Sequence, residues 1–308
     1  MALTGVIRPG HCQLRVLDLE ASIQFYTKVM GLKLMGRDAS GRAYFKCLEE
    51  RDHHSLILRQ AHKPGMDFYG FKVRDTHALK QIESDLRAHG VRTERIPAGD
   101  LLETGERVRF ESPTGHIFEL YAEKKDVGNE MGYLNPDVII DGRIGISPIR
   151  LDHWQIHGAD IDGSRDLFTK VLGFSVAERI LMDDGQSDAA VWLTCSNKAH
   201  DIAFVRDERD NTLHHLSFLL GTWEQVLKAA DVMGMHRVFI DEGPMRHGIT
   251  KGTTIYAFDP SGNRFETFCG GYDFYPDMQP TVWTADQMGR GVFYHTGELN
   301  ERFLTVVT

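Results

Sequence analysis

The sequence predicts an α+β protein built as a tandem repeat of paired βαβββ modules and divided into two domains. Three observations carry that reading. The chain has 308 residues, of which 42% are hydrophobic and 26% charged, ample for two ordinary globular domains. Strand-like and helix-like stretches follow one another in the same order in both halves. The halves also share sequence. Tyr26-Thr27-Lys28-Val29-Met30-Gly31 lies over Phe168-Thr169-Lys170-Val171-Leu172-Gly173, an offset of 168 − 26 = 142 that also sets His11 over His153. Ser112-Pro113-Thr114-Gly115-His116-Ile117-Phe118-Glu119 lies over Asp259-Pro260-Ser261-Gly262-Asn263-Arg264-Phe265-Glu266, an offset of 266 − 119 = 147. A period this long marks a duplicated module, not a solenoid.

Taken in order, residues 11–17 (HCQLRVL) predict a short strand. Asp18 caps a helix that runs to Met30, with Ile23, Tyr26 and Met30 on one face and Gly31 as the stop. A helix from Thr76 to Gly90 carries the stripe Leu79, Ile82 and Leu86. A polar run from Lys124 to Asn129, then the turn signals Asn135-Pro136 and Asp141-Gly142, place the joint near residues 124–148. The second half repeats the order. A strand covers Asp152 to His157, and a helix bearing Leu167 and Val171 stops at Gly173. A further helix from Thr222 to Gly234 carries Trp223, Val226, Ala230 and Met233 on one stripe. The expected domains are 1–130 and 148–288. The tail, 289–308, lies outside the repeat and is expected to pack on a module or on a neighbouring subunit.

The end of the second module reads as strand, turn, strand. Residues 252–258 are β-prone, and Asp259-Pro260-Ser261-Gly262 supplies a preset φ at Pro and tolerance of positive φ at Gly. In the strand that follows, Glu266 shares a face with Arg264 and Phe268. A carboxylate there is either a solvated charge or an inward-facing functional group.

Bulk properties exclude several classes. A net charge of −9 argues against a phosphate-binding surface and so against nucleic acid as the main partner. No apolar run approaches a membrane span. The start, MALTGVIRPG, lacks the basic and apolar regions of a signal peptide. Cys12, Cys47, Cys195 and Cys269 are scattered without CxxC spacing and read as reduced thiols of a cytoplasmic protein.

Among 15 histidines, two pair with Glu266 as a constellation: His153, in the first strand of the second half, and His215, in Leu213-His214-His215-Leu216. Two imidazoles and a carboxylate suit a divalent metal in an open site, whereas a closed zinc site wants four ligands. Taken singly, His153 fits equally a core histidine bonded to Asp152 or to a carbonyl. His214 and His215 point to opposite faces, so at most one enters a site. The first half keeps His11 and Glu119 at the matching places, but Tyr69 or Gly70 stands at the middle one. It is therefore expected to be a metal-free copy with a structural or oligomeric role.

The residues also carry a resemblance. Arg8-Pro9-Gly10-His11, Gly65-Met66-Asp67-Phe68, Lys198-Ala199-His200-Asp201, Arg246-His247-Gly248 and Leu299-Asn300-Glu301-Arg302-Phe303 contribute to it. So does the pattern His247…Tyr256-x-x-Asp259-Pro260-x-Gly262-x-x-x-Glu266. Over its whole length the chain resembles the extradiol ring-cleaving dioxygenases of the vicinal oxygen chelate superfamily, and within them the catechol 2,3-dioxygenases. It departs from their pattern at Phe265 and Met245.

The resemblance implies the vicinal oxygen chelate (glyoxalase-like) fold and Fe(II) held by His153, His215 and Glu266. It implies His200 as an acid/base beside the O2 position, and His247 and Tyr256 as the residues that hydrogen-bond and orient the substrate. The implied reaction is extradiol (meta) cleavage of catechol or an alkylcatechol by O2 to a 2-hydroxymuconate semialdehyde, in aromatic hydrocarbon catabolism, by a homotetramer. Ile249, Thr250 and Phe265 are candidate pocket walls. Cleavage of a two-ring diol such as dihydroxybiphenyl is the alternative within this chemistry. Glyoxalase-like metal-dependent isomerases and non-catalytic binding proteins share the fold.

Overall fold

The computed structural model describes residues 5–308. The first half runs β1 (Val6–Val16), α1 (Leu19–Gln24), β2 (Lys33–Arg37), β3 (Ala43–Lys46), β4 (Leu56–Gln60), β5 (Gly65–Val73), α2 (Thr76–Ala88), β6 (Thr93–Ile96), β7 (Arg107–Glu111) and β8 (Ile117–Tyr121). The second runs β9 (Arg150–Gly158), α3 (Ile161–Lys170), β10 (Ser175–Leu181), β11 (Asp188–Thr194), β12 (Ile202–Arg206), β13 (Thr212–Leu219), α4 (Trp223–Met235), β14 (Ile240–Arg246), β15 (Gly252–Phe258) and β16 (Arg264–Gly270). A short β17 (Thr281–Trp283), α5 (Met288–Val292) and α6 (Glu301–Thr305) follow.

The first sheet has the order β2-β3-β4-β1-β5-β8-β7-β6. The second repeats it as β10-β11-β12-β9-β13-β16-β15-β14, with β17 added outside β10. The longer helices start where a side chain can take up an orphan N–H. Asp18 accepts from Ala21 at 3.0 Å, Asp75 from Ala78 at 2.8 Å and Thr222 from Gln225 at 3.3 Å. The helix expected to reach Met30 changes at Gln24 into a π-helical turn, Phe25–Val29. Phe25 and Tyr26 are both buried there. Phe25 packs on Phe265 at 5.6 Å, and the Tyr26 hydroxyl donates to Asp259 at 3.1 Å. The wider turn brings these adjacent side chains closer to one face. On α4 the buried stripe holds Val226, Ala229, Val232 and Met233, so Ala229 takes the place expected of Ala230.

The two sheets share an aromatic core. Trp154 of β9 lies 5.3 Å from Phe71 and 5.5 Å from Tyr69, and Phe168 of α3 lies 5.0 Å from Phe118. Burying side chains of this size stabilises by about 2 kcal/mol apiece, so the first half is a rigid backing for the strand that carries His153. The tail folds back on the second half, where Thr308 exchanges both backbone hydrogen bonds with Leu213 of β13. No described helix is long and apolar enough to cross a membrane.

The register corrects one expectation about the first half. Gln13 pairs with Phe68 and Gln155 pairs with His215, so Phe68, and neither Tyr69 nor Gly70, occupies the middle place. Gly70 matches Ser217, and a Cβ there would lie 2.5 Å from His11 Nε2. β7 and β15 match as well. Arg109 faces Glu119 as Tyr256 faces Glu266. Arg107 and Arg109 donate to Glu119 at 2.8 and 2.9 Å, and Lys124 Nζ lies 2.7 Å from His11 Nδ1. The first half thus neutralises its buried carboxylate with guanidinium groups.

Several buried histidines are held neutral. Burial pushes His116 and His157 down to about 4, and burial with Lys124 beside it pushes His11 to about 3. Each lies below its unfolded value of about 6.5. The unfolded chain therefore takes up more protons, and the stability these groups contribute is present above pH ~6.5 and lost as pH falls towards the folded values. The urea midpoint is expected to fall steadily from pH 7 to pH 4.5. A flat midpoint over that range would contradict it.

Candidate active site

Three strands of the second sheet bring the predicted donors together. β9 carries His153, β13 carries His215 and β16 carries Glu266, and all three side chains are buried. β13 lies between the other two, pairing antiparallel with β9 and parallel with β16. Ser217 stands opposite both His153 and Glu266, which levels the three donors. One ligand atom from each residue lies within 4.8 Å of the others. His153 Nε2 is 3.0 Å and His215 Nε2 3.6 Å from the same carboxylate oxygen.

Hydrogen bonds behind the donors set their tautomers. His214 Nε2 faces the Phe303 carbonyl at 2.7 Å, so it must carry a proton and donate. With Nε2 protonated, neutral His214 accepts at Nδ1, which lies 2.7 Å from His215 Nδ1. His215 therefore carries its proton on Nδ1 and aims a lone pair from Nε2 at Glu266. His153 Nδ1 donates to Asp152 at 3.1 Å and likewise frees Nε2. Glu266 accepts from Thr254 Oγ1 at 2.6 Å and from Ser217 Oγ.

The charges agree with a cation site. Burial would raise the Glu266 carboxyl, but the hydrogen bond with His153 and the imidazoles of His153 and His215 beside it hold it well below the usual range. Burial would lower His153, but hydrogen bonds to Asp152 and Glu266 raise it. His153 Nε2 and the Glu266 carboxylate lie 3.0 Å apart, facing the place where a divalent ion would bind both. Burial pushes His215 well down, which keeps its lone pair available. A closed cluster of three donors, two nitrogen and one oxygen, fits a divalent metal with positions left open.

The other predicted residues surround the same cavity, of about 780 Å³. His247 Nε2 is 2.8 Å from the Tyr256 hydroxyl and 3.9 Å from Glu266. His247 Nδ1 faces the Val292 carbonyl and must donate, so Nε2 accepts from Tyr256. Burial, then the charge of Glu266, pushes the Tyr256 phenol well above its usual range. His200 packs on His153 with ring centroids 4.0 Å apart and planes tilted by 50°, and burial pushes its imidazole well down. It lies in the loop ahead of β12. Ile249 and Thr250 line the cavity. Phe265 does not. It is the sequence neighbour of Glu266, so alternation turns it to the opposite face, into the core against Phe25.

Comparison with known proteins agrees with this geometry. A family model described as "Catechol 2,3-dioxygenase-like N-terminal domain" matches residues 66–125, and "Glyoxalase/Bleomycin resistance protein/Dioxygenase superfamily" matches residues 150–267. The metapyrocatechase of Pseudomonas sp. (strain CF600) is 48% identical over 305 residues, covering 99% of each chain. The chain belongs to the metapyrocatechase (catechol 2,3-dioxygenase) family. The crystal structure of the 2,3-dioxygenase LapB from Pseudomonas sp. KL28 superposes with a TM-score of 0.91 at 56% identity, covering 92% of this chain and 99% of that one. A manganese-dependent 2,3-dihydroxybiphenyl 1,2-dioxygenase of Geobacillus genomosp. 3 is 28% identical over 94% of both chains. In this extradiol dioxygenase the paired modules are the vicinal oxygen chelate fold that the repeat predicts.

Sequence reasoning missed four contributors to the site. Ser217 and Thr254 lie two residues from His215 and Tyr256 in their strands, so alternation alone puts each on the same face. His214, which alternation sets on the opposite face from His215, is buried and holds it through Nδ1. The Phe303 carbonyl had no sequence signal, because it acts through its backbone from a remote helix.

Proposed function

We propose that the enzyme cleaves catechol or an alkylcatechol beside its diol with O2, giving a 2-hydroxymuconate semialdehyde, on Fe(II) held by His153, His215 and Glu266. The observation that supports this best is the convergence of those three donors with the His247–Tyr256 pair and His200 on one cavity. Ferrous iron bound there would supply the redox chemistry that joins a chelated catecholate to O2, which zinc lacks.

The side chains do the remaining work. His247 presents a lone pair at Nε2 and takes one catechol proton. Once it is protonated, Tyr256 loses its acceptor and can turn its O–H to the catecholate oxygen. A phenol held neutral by burial suits that donation. His200 has no partner at Nδ1, faces the same cavity, and is the group placed to give a proton to oxygen and later take one back. Ile180, Trp192, Ile249, Met288 and Val292 form the apolar wall that excludes water and receives ring substituents. The cavity exceeds the needs of one ring, which favours substituted catechols and keeps two-ring diols in view. Each extra methylene shifts preference by only about 1–3 kcal/mol.

The test is anaerobic loading with Fe(II) or Mn(II), then O2 with catechol, 3-methylcatechol, 4-methylcatechol or dihydroxybiphenyl. The yellow ring-fission product is expected with Fe(II) and the single-ring diols. No colour with any diol would overturn the assignment, and colour with Mn(II) alone would overturn the metal. We further read the enzyme as a homotetramer. Leu134, Val138 and Ile139 of the connecting segment are 87%, 94% and 66% exposed, apolar side chains that a neighbouring subunit would cover. Light scattering reads that state directly.

A further inference from the structure

We propose that Lys198 is a positioning residue for His200, tying the loop that carries it to the strand that carries His153. The inference rests on the reading of His200 as the acid/base and goes beyond it by naming what holds that ring in place.

His200 needs an external fastening. Its Nδ1 is buried without a partner. The ladder between β12 and β9 begins at Ile202 and Trp154, so it does not reach His200. What precedes it is a loop from Cys195 to Asp201. Asp201 closes this loop on itself. One carboxylate oxygen accepts from Thr194 Oγ1 at 2.9 Å, Cys195 N at 2.8 Å, Ser196 N at 3.1 Å and Ser196 Oγ at 2.9 Å. These bonds shape the loop but do not set its distance from β9.

Lys198 makes that second connection. Its ammonium donates to the Asp152 carbonyl at 2.7 Å and lies 3.0 Å from the Asp152 carboxylate and 2.9 Å from the second Asp201 oxygen. The ammonium thus makes one hydrogen bond and two ion-pair contacts, reaching three oxygens of two residues. Among the described residues it is the polar tie between this loop and β9 beyond the end of the ladder. Asp152 in turn holds His153 Nδ1. One cation therefore sits between the residue before His153 and the residue after His200, and the two rings lie 4.0 Å apart. Without it, two carboxylates, 2% and 0% exposed, would face each other across the gap. Among the described residues, Arg150, on the other side of Asp152 at 2.7 Å, and the His153 N–H would remain to offset them. Repulsion between buried like charges would then move the loop, and His200 with it, away from His153.

The test is a double-mutant cycle in the full-length metal-loaded enzyme. It comprises wild type, Lys198→Met, His200→Asn and the double variant, each with metal content measured. Lys198→Met is expected to keep its metal and its KM for catechol, and to lose kcat about tenfold. In the His200→Asn background the same change is expected to alter kcat less than about twofold, because it acts through His200. Lys198→Arg, which keeps the charge, is expected to restore most of the rate. Hydrogen–deuterium exchange of residues 195–201 should quicken in Lys198→Met, with residues 213–219 unchanged. An equal loss of kcat in both backgrounds, or no loss, overturns the positioning role and leaves the reading of His200 intact. A His200→Asn enzyme with wild-type kcat overturns both. If Lys198→Met does not fold, Lys198→Gln enters the same cycle with a smaller expected drop, about threefold, and the same outcomes decide.

Discussion

Replacing His215 with alanine is expected to remove the metal and the ring-cleaving activity together. His215 lies on the central strand of the three and brings its Nε2 to within 3.6 Å of the Glu266 oxygen that His153 also approaches. Without it, His153 and Glu266 remain and already satisfy each other at 3.0 Å. Two donors that pair with one another compete with a metal more than they bind it. Metal content after Fe(II) loading and gel filtration should fall from about one ion per chain to near zero, in keeping with the three-ligand site. The neighbouring variant His214→Leu supplies the comparison. It leaves the ligand in place but deletes the acceptor at its Nδ1. Metal affinity is then expected to weaken roughly 10- to 100-fold without being abolished. Full iron occupancy with wild-type turnover in His215→Ala would end the assignment of this residue as a ligand.

His247→Phe is expected to keep the metal and lose kcat by a factor of about 10² to 10⁴, the usual value of a positioned base. The geometry makes this a prediction about protons. Nδ1 is committed to the Val292 carbonyl, so Nε2 is the free lone pair, and it lies 2.8 Å from the Tyr256 hydroxyl. With phenylalanine there, catechol must arrive already ionised. The lost rate should therefore return in part as pH rises towards the phenol range, near ~10, whereas a merely structural lesion would show no such recovery. Tyr256→Phe keeps the base and loses a single donor, and a smaller loss is expected. Unchanged turnover of His247→Phe at neutral pH would remove it from the proton-transfer step.

Much of the architecture was legible because the chain states it twice. Shared segments fixed the order of elements, and the caps at Asp18 and Thr222 and the stop at Gly31 follow from local chemistry. What escaped has identifiable causes. The middle place of the first half was assigned to Tyr69 or Gly70 by counting. The ladder slips at the same points in both halves, so the offset of 147 that sets Glu119 under Glu266 already holds here, and 215 − 147 = 68 puts Phe68 in that place. The π-helical turn at Phe25 arises from contacts with Phe265 and Asp259, far off in sequence. Phe265 was offered as a pocket wall although the inward turn of Glu266 already excluded it. His214 and Phe303 meet across 89 positions, and no local pattern foretells such a pair.

The guanidinium pair on Glu119 has a consequence for how the molecule comes together. Each half buries one carboxylate at the same point of the same sheet. In the first, the compensating cations, Arg107 and Arg109, are covalent parts of the chain and arrive with it. In the second, compensation falls to His153 until an ion comes from outside. The first half can therefore set before any metal is present and act as the template on which its twin closes. Metal starvation or a chelator should leave one half of the chain ordered and the other loosened, and reloading should be a local repair, not a refolding of the whole.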